Sequence, residues 1–124
     1  MNPTPAELRS LDAWIAEHVF GYRRRHRNNA VSDWDEIELP LADGSTKWCG
    51  LNLIENYTTD PAASDALDST IIEKLWTNRE FYRMGKSDAG AFLMTALFNG
   101  ENIIEHDRNR LVCRAKFAKQ LWSK

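Results

Sequence analysis

The chain has 124 residues, of which 43% are hydrophobic and 27% are charged, and these proportions are typical of one globular domain spanning residues 1–124. This composition excludes a disordered tail, a collagen-like fibre and a coiled-coil rod. The formal net charge of −2 argues against a general nucleic-acid binder, because binding to a phosphate backbone needs a broad basic face.

The charge is distributed unevenly along the chain. Residues 1–70 contain 6 basic and 12 acidic residues, a balance of −6, whereas residues 71–124 contain 10 and 6, a balance of +4. Basic residues are concentrated at positions 23–27 and again at 108–124. A local basic surface therefore remains an open interpretation.

The first residues and the two cysteines are used to predict the cellular compartment of the protein. The sequence begins without the basic and apolar regions of a secretory signal, and its apolar runs are far shorter than the roughly 18–20 residues that span a bilayer. We therefore expect a cytoplasmic protein that does not bind membranes. The spacing of Cys49 and Cys113 fits neither a zinc site nor a redox pair. Two free buried thiols are the favoured interpretation, and a disulfide between them is the alternative.

The first predicted element is a helix over residues 5–20. Thr4 and Glu7 form a capping box, and Pro5 occupies the first helical position. Apolar residues then recur at steps of three and four. These residues are Leu8, Leu11, Ile15 and Val19. The polar and irregular stretch 22–32 that follows is predicted to be a loop or an extension with little core.

The middle of the chain predicts a hairpin and a second helix. Residues 34–39 alternate between polar and apolar, residues 42–45 have the composition of a turn, and an apolar stretch follows at 47–54. Asp60 is a good N-cap and Pro61 follows it, which predicts a helix over 61–77.

The last third of the chain predicts a second hairpin and a third helix. Strands over 80–84 and 92–98 flank turn residues at 85–90, and the second of these strands is apolar enough to be covered on both faces. Ile103 and Ile104 indicate a further short strand or a plug of the core. Asp107 is the predicted N-cap of a helix over 108–122.

The third helix is expected to be amphipathic. Three residues of its apolar stripe are expected to face a sheet, and its basic residues are expected to take the remaining faces. The stripe residues are Leu111, Ala115 and Ala118, and the basic residues are Arg108, Arg114, Lys116 and Lys119. The element order predicts an α+β fold, with three helices packed on a small antiparallel sheet built from two hairpins, similar to an α/β/α sandwich.

Three segments resemble a known family. The segments 11–22, 57–63 and 111–115 resemble, in order, three blocks of the small phage and prophage proteins called the phage ABA sandwich family. The match is closest at Cys113-Arg114-Ala115, and the chain departs from the family in a longer link at 34–54 and extra charge at 98–107. The resemblance implies helices on both faces of a central sheet and a phage or prophage origin. It implies no catalytic residues and no activity.

The chain offers little for catalysis or metal binding. It contains no H-E-x-x-H, C-x-x-C, G-x-S-x-G, P-loop or G-x-G-x-x-G motif, so we expect no catalytic residues, no metal and no cofactor. The group Glu105, His106 and Asp107 is interpreted as the start of a helix rather than as a metal site. The acidic residues 33–38 are interpreted as the solvated face of an edge strand.

The remaining candidates for a functional role are residues that could bind a partner. Arginine and tryptophan are the residue types most enriched in binding hot spots. The candidates are Tyr22, Arg23, Arg24, Arg25, Arg27, Trp34 and Trp48.

The sequence therefore predicts a non-enzymatic phage or prophage accessory protein that binds a host or phage protein, for example as an inhibitor of a bacterial defence system. A nucleic-acid-binding module that uses Arg23–Arg27 and the basic last helix is the alternative, and a small enzyme is a third, weaker one. The sequence leaves the oligomeric state open.

Overall fold

The structure is a computed structural model that describes residues 3–124. It contains three helices and two three-stranded antiparallel sheets, so the predicted α+β fold is confirmed. In chain order the elements are α1 (Pro5–His18), β1 (Arg24–Asn28), β2 (Asp33–Pro40), β3 (Thr46–Gly50), a 3₁₀ turn (Leu51–Leu53), α2 (Pro61–Trp76), β4 (Arg83–Lys86), β5 (Phe92–Phe98), β6 (Glu101–Asp107) and α3 (Arg110–Trp122). The first sheet has the order β1-β2-β3 and the second has the order β4-β5-β6.

The helices begin where the capping residues predict, with one exception. The Thr4 hydroxyl accepts a hydrogen bond from the backbone N–H of Glu7, and the Asp60 carboxylate accepts one from Ala62. The prediction that Asp107 caps α3 is wrong, because Asp107 is still paired with Phe92 in the second sheet. Asn109 is the cap instead, and its side-chain oxygen accepts from the backbone N–H of Leu111 and Val112 at 2.9 and 3.2 Å.

The prediction of a loop over 22–32 is also wrong, because residues 24–28 form strand β1. This strand has no apolar alternation, which is the signal that identifies a half-buried strand in a sequence. Ion pairs to β2 take the place of apolar packing, as described below. Strand β4 lies two to three residues later than predicted, and the segment around Ile103 and Ile104 is a full strand of seven residues.

Helix α3 lies at the centre of the molecule. It packs against β5 and β6 on one side and against α1 and α2 on others. Phe117, Ala118 and Leu121 are completely buried, whereas Leu111 is only partly buried and Arg114 lies in the interior. The predictions that Leu111 is a core residue and that Arg114 lies on the polar side of the helix are therefore wrong.

The structure also shows whether the two cysteines are free or form a disulfide. Cys49 and Cys113 are both buried and free, which confirms the favoured interpretation. Burial raises the pKa of the Cys113 thiol to about 11, so this thiol is protonated at neutral pH and is a poor nucleophile.

Candidate functional site

The pairing of the first sheet places most of the predicted binding residues on one face. Residues directly opposite each other on antiparallel strands point to the same side of the sheet, and this side alternates along each strand. Arg25 lies opposite Glu36, Arg27 lies opposite Trp34, and Glu38 lies opposite Trp48. We call this side the Arg–Trp face; it comprises Arg23, Arg25, Arg27, Trp34, Glu36, Glu38 and Trp48.

Trp48 is the fixed centre of the Arg–Trp face. The Arg25 guanidinium lies 4.0 Å from the centroid of the Trp48 ring, and the Arg23 guanidinium lies 5.7 Å from it. Cations stacked on an indole face are attracted by its quadrupole. Because both arginines are also bound to carboxylates on β2, the ring is held between two oriented cations.

The carboxylates of β2 orient these arginines. Arg23 donates two hydrogen bonds to Glu38, from Nε at 2.8 Å and from Nη2 at 3.0 Å, and Arg25 donates from Nε to Glu36 at 2.8 Å. The hydrogen bond from Arg25 lowers the pKa of Glu36, and the hydrogen bond from Arg23 lowers the pKa of Glu38. Both carboxylates are therefore ionised at neutral pH, and the face carries three positive and two negative charges.

The open part of the face lies near the end of the β1–β2 hairpin. The side chain of Trp34 is 39% exposed and that of Val31 is 93% exposed. Arg27 is exposed and makes no ion pair with any residue in the part of the chain that the structure describes. At the hairpin end the Asn29 side-chain oxygen accepts hydrogen bonds from the backbone N–H groups of Val31 and Ser32. A cation and two apolar side chains are thus exposed beside this hydrogen-bonded turn.

Two of the predicted binding residues lie elsewhere. Arg24 points to the other side of the first sheet, where it pairs with Asp35 at 2.6 Å and with Glu17 of α1 at 3.7 Å. Tyr22 is half-buried beside Phe20 and packs against the core. The structure therefore brings Arg23, Arg25, Arg27, Trp34 and Trp48 together, and it separates Tyr22 and Arg24 from them.

The buried Arg114 is a polar centre that the sequence prediction missed. It donates to the Ser64 hydroxyl at 2.7 Å and lies 3.4 Å from the Asp68 carboxylate. Tyr82 donates to the same carboxylate at 2.6 Å, and burial together with this bond raises the pKa of Tyr82 to about 12. Arg114 precedes Phe117 by three residues, which is the helical spacing that could have placed it on the buried side.

A second buried polar centre fixes the start of α2. The Asp12 carboxylate is almost fully buried, and it accepts hydrogen bonds from Arg9 and from the backbone N–H of Thr58, both at 3.0 Å. Burial raises the pKa of Asp12, although these hydrogen bonds oppose that effect. Arg9 also donates to the carbonyl of Leu51 at 2.8 Å, so this cluster connects α1 to the segment before α2.

The positions considered for metal binding do not converge. Glu105, His106 and Asp107 are consecutive residues of strand β6, so the His106 side chain points away from the other two. His18 stacks on Trp14 at 4.2 Å between ring centroids and bonds to the Trp14 carbonyl. Residues 3–124 contain no group of three or more His, Cys, Asp or Glu side chains arranged to hold a metal ion. None of the helices in this range is long and apolar enough to cross a membrane.

A groove of about 730 Å³ lies between α1 and α3. Its lining includes Leu8, Leu11, Trp14 and Lys116. The Lys116 amine is already bound to the carbonyl of His106 at 2.9 Å and lies 3.4 Å from Glu105. Because ligand sites need polar groups that converge and are free to bind, this groove is a weaker candidate than the Arg–Trp face.

Comparisons with known proteins support the fold and leave the family open. No family model matches the chain, and no curated protein sequence matches it. Among solved structures, the chain is similar to a phage protein from Bacillus cereus ATCC 14579, whose crystal structure was determined at 2.0 Å. The two share 16% sequence identity and superpose with a TM-score of 0.60, over 100% of this chain and 94% of the phage protein. At this identity the likeness establishes the fold alone, and that fold is shared with a phage protein.

Proposed function

We propose that this chain is a phage or prophage accessory protein that acts by binding a partner protein through the Arg–Trp face. The observation that carries the proposal is the arrangement of three arginines and two tryptophans on one side of a three-stranded sheet. Arginine and tryptophan dominate binding hot spots because each combines a large contact area with directional donors. The likeness to a phage protein supports the proposed origin, and the bacterial cytoplasm is the compartment proposed with it.

The charge of the face favours a protein partner over a nucleic acid. Glu36 and Glu38 neutralise two of its three arginines, and carboxylates would repel a phosphate backbone. Interfaces between proteins, in contrast, accommodate interleaved charges of both signs. Since Arg24 points to the other side of the sheet and Arg114 is buried, the basic segments present fewer free cations than their sequences suggest.

The class of partner is a host or phage protein whose surface offers carboxylates to Arg27 and an apolar recess to Trp34. Inhibition of a bacterial defence system fits this class, because a small protein can act by occupying a surface. The proposal requires no chemistry beyond binding.

The test is quantitative capture of partners from a bacterial host lysate on the immobilised chain. The variant Arg27→Ser/Trp34→Ala is expected to lose at least about tenfold of the bound partner, which corresponds to about 1.4 kcal/mol. The matched control is Arg108→Ser/Leu53→Ala, which removes one exposed arginine and one exposed apolar side chain elsewhere on the molecule and retains binding. Equal capture by both variants contradicts the proposal.

The nucleic-acid alternative is distinguished by salt dependence. Binding of labelled duplex DNA or RNA through phosphate contacts weakens steeply as the salt concentration rises. We expect no such binding by the wild-type chain. Binding that follows this salt dependence and is lost in Arg27→Ser would favour the alternative over a protein partner.

A further inference from the structure

The second sheet leaves one of its faces without a partner. Helix α3 covers the inner face, where Met94, Ala96 and Ile103 are buried. The outer face carries Leu97, which is 41% exposed, and Ile104, which is 55% exposed. The apolar sequence of β5 predicted that both faces are covered, whereas within one chain only the inner face is. The outer face therefore presents Leu97 and Ile104, beside the polar Thr95 and Asn102, as apolar side chains that a single copy leaves in water.

A neighbouring loop enlarges this apolar surface. Phe81 is 68% exposed and lies beside Leu97 and Ile104 around a groove of about 420 Å³. The Phe81 ring contacts the Trp76 ring at 5.1 Å between centroids. Trp76 is itself 46% exposed, and the Arg79 guanidinium lies 4.8 Å from the centroid of its ring. Contiguous apolar patches of this kind on soluble proteins mark sites of association. We call this surface, formed by Trp76, Phe81, Leu97 and Ile104, the outer patch.

Two opposite charges line the same groove and remain unpaired. Glu80 and Arg83 both contribute to its wall. In the part of the chain that the structure describes, neither residue forms an ion pair, although twelve ion pairs occur elsewhere. A cation and an anion beside one apolar patch make a surface that is complementary to its own copy.

We propose that two copies of this chain associate through the outer patch about a two-fold axis. In such an interface the same surface faces itself, so Glu80 of each copy meets Arg83 of the other. The flat outer faces of the two second sheets then pack on each other, as sheets do in β-sandwiches. The Arg–Trp face belongs to the other sheet, so this association does not depend on the function proposed above.

The charges that line the groove favour a second copy over a strongly acidic or a strongly basic partner. A strongly acidic partner would pair with Arg83 but would bring Glu80 against a like charge, and a strongly basic partner would do the reverse. Burying a charge without a counterion costs more than an ion pair gains. A second copy supplies both counterions at once and also covers the apolar side chains between them.

The experiment is sedimentation velocity on the purified full chain over a wide range of concentrations. The expected result for the wild type is a concentration-dependent transition from the mass of one chain to the mass of two. Ile104→Asp places a charge in the centre of the patch and is expected to raise the dissociation constant at least about tenfold. The control Leu53→Asp changes an apolar side chain of similar exposure, 60% against 55% for Ile104, in the 3₁₀ turn after the first sheet, and leaves the dimer unchanged.

A charge-reversal pair tests the two-fold arrangement without disturbing the apolar residues. Glu80→Arg is expected to weaken the dimer, because the introduced arginine of each copy then faces Arg83 of the other. Glu80→Arg/Arg83→Glu is expected to restore the dimer. Circular dichroism melts establish that each variant is folded. A wild type that stays monomeric at every concentration, a dimer that persists in Ile104→Asp, or a double variant that fails to restore association overturns the proposal. Capture of a different protein on the outer patch of a monomeric chain overturns it as well.

Discussion

The two sheets have the same number of strands and the same antiparallel pairing, but their outward faces differ in chemistry. In the first sheet the outward face carries arginines, glutamates and tryptophans joined by ion pairs and cation–π contacts. In the second sheet it carries exposed leucine and isoleucine with two unpaired charges beside them. The contrast shows that a strand can be held in place by cross-strand charge pairs where apolar packing is absent. It also shows that an apolar strand is not necessarily covered on both sides by its own chain.

The second sheet depends most strongly on burial against α3, and breaking that contact should give the largest effect. Phe117 is completely buried, so Phe117→Ala is expected to lower the free energy of unfolding by about 3–5 kcal/mol. Urea denaturation followed by circular dichroism measures this change. The control is Phe81→Ala in the exposed segment before β4, where the expected loss for the monomer is below about 0.5 kcal/mol. Similar losses in the two variants would mean that the faces are assigned wrongly.

The buried Arg114 links α3 to α2 through a charge rather than through apolar contact. Arg114→Met retains much of the side-chain volume but leaves Asp68 without its cation, so a loss of about 1.5–3 kcal/mol is expected. The same denaturation measurement on Asp68→Asn and on the double variant completes a mutant cycle. The double variant should be less destabilised than the sum of the single ones. Strict additivity would show that the two side chains do not interact.

The first sheet should lose stability in acid. The pKa values of Glu36 and Glu38 are lowered in the folded protein by Arg25 and Arg23, so the folded state binds fewer protons than the unfolded chain. Their stabilisation is therefore complete above the ordinary glutamate pKa of 4.5 and is lost as the pH falls through the lowered values. Denaturation midpoints of wild type and Glu36→Gln/Glu38→Gln should differ at neutral pH and converge in acid. A difference that stays constant with pH would contradict this assignment.

The smallest effect is expected at the open end of the Arg–Trp face. Arg27→Ser should change the free energy of unfolding by less than about 0.5 kcal/mol, because Arg27 is exposed and forms no ion pair among residues 3–124. Arg25→Ser should cost more, because Arg25 packs on the Trp48 ring as well as pairing with Glu36. Thermal melts of the two variants show directly which of them is less stable. Equal melting temperatures would contradict the distinction between Arg25, which packs and pairs within the sheet, and Arg27, which is exposed for binding.

The helices were predictable because their signals are local. Thr4-Pro5 and Asp60-Pro61 mark the starts of α1 and α2, and apolar spacing of three and four residues marks their length. The start of α3 was less predictable, because both Asp107 and Asn109 have suitable side chains for a cap. Only the pairing of Asp107 within the second sheet decides between them.

Strand β1 and the Arg–Trp face were not predictable to the same extent. The sequence shows that arginines and tryptophans are abundant between residues 22 and 48, which is sufficient to select them as candidates. It does not show that residues 24–28 pair with β2, because that pairing depends on ion pairs between residues about ten positions apart. Without the register, Arg24 and Arg25 cannot be assigned to opposite sides of a sheet.

The sequence by itself determined the fold class, the positions of the three helices and the type of residue available for binding, since capping, periodicity and composition act over a few neighbouring residues. The tertiary structure alone decided that the strands form two sheets and which face of each sheet meets water. These features depend on contacts between residues far apart in the chain. Such contacts follow from the packing of whole elements, and no local pattern encodes them.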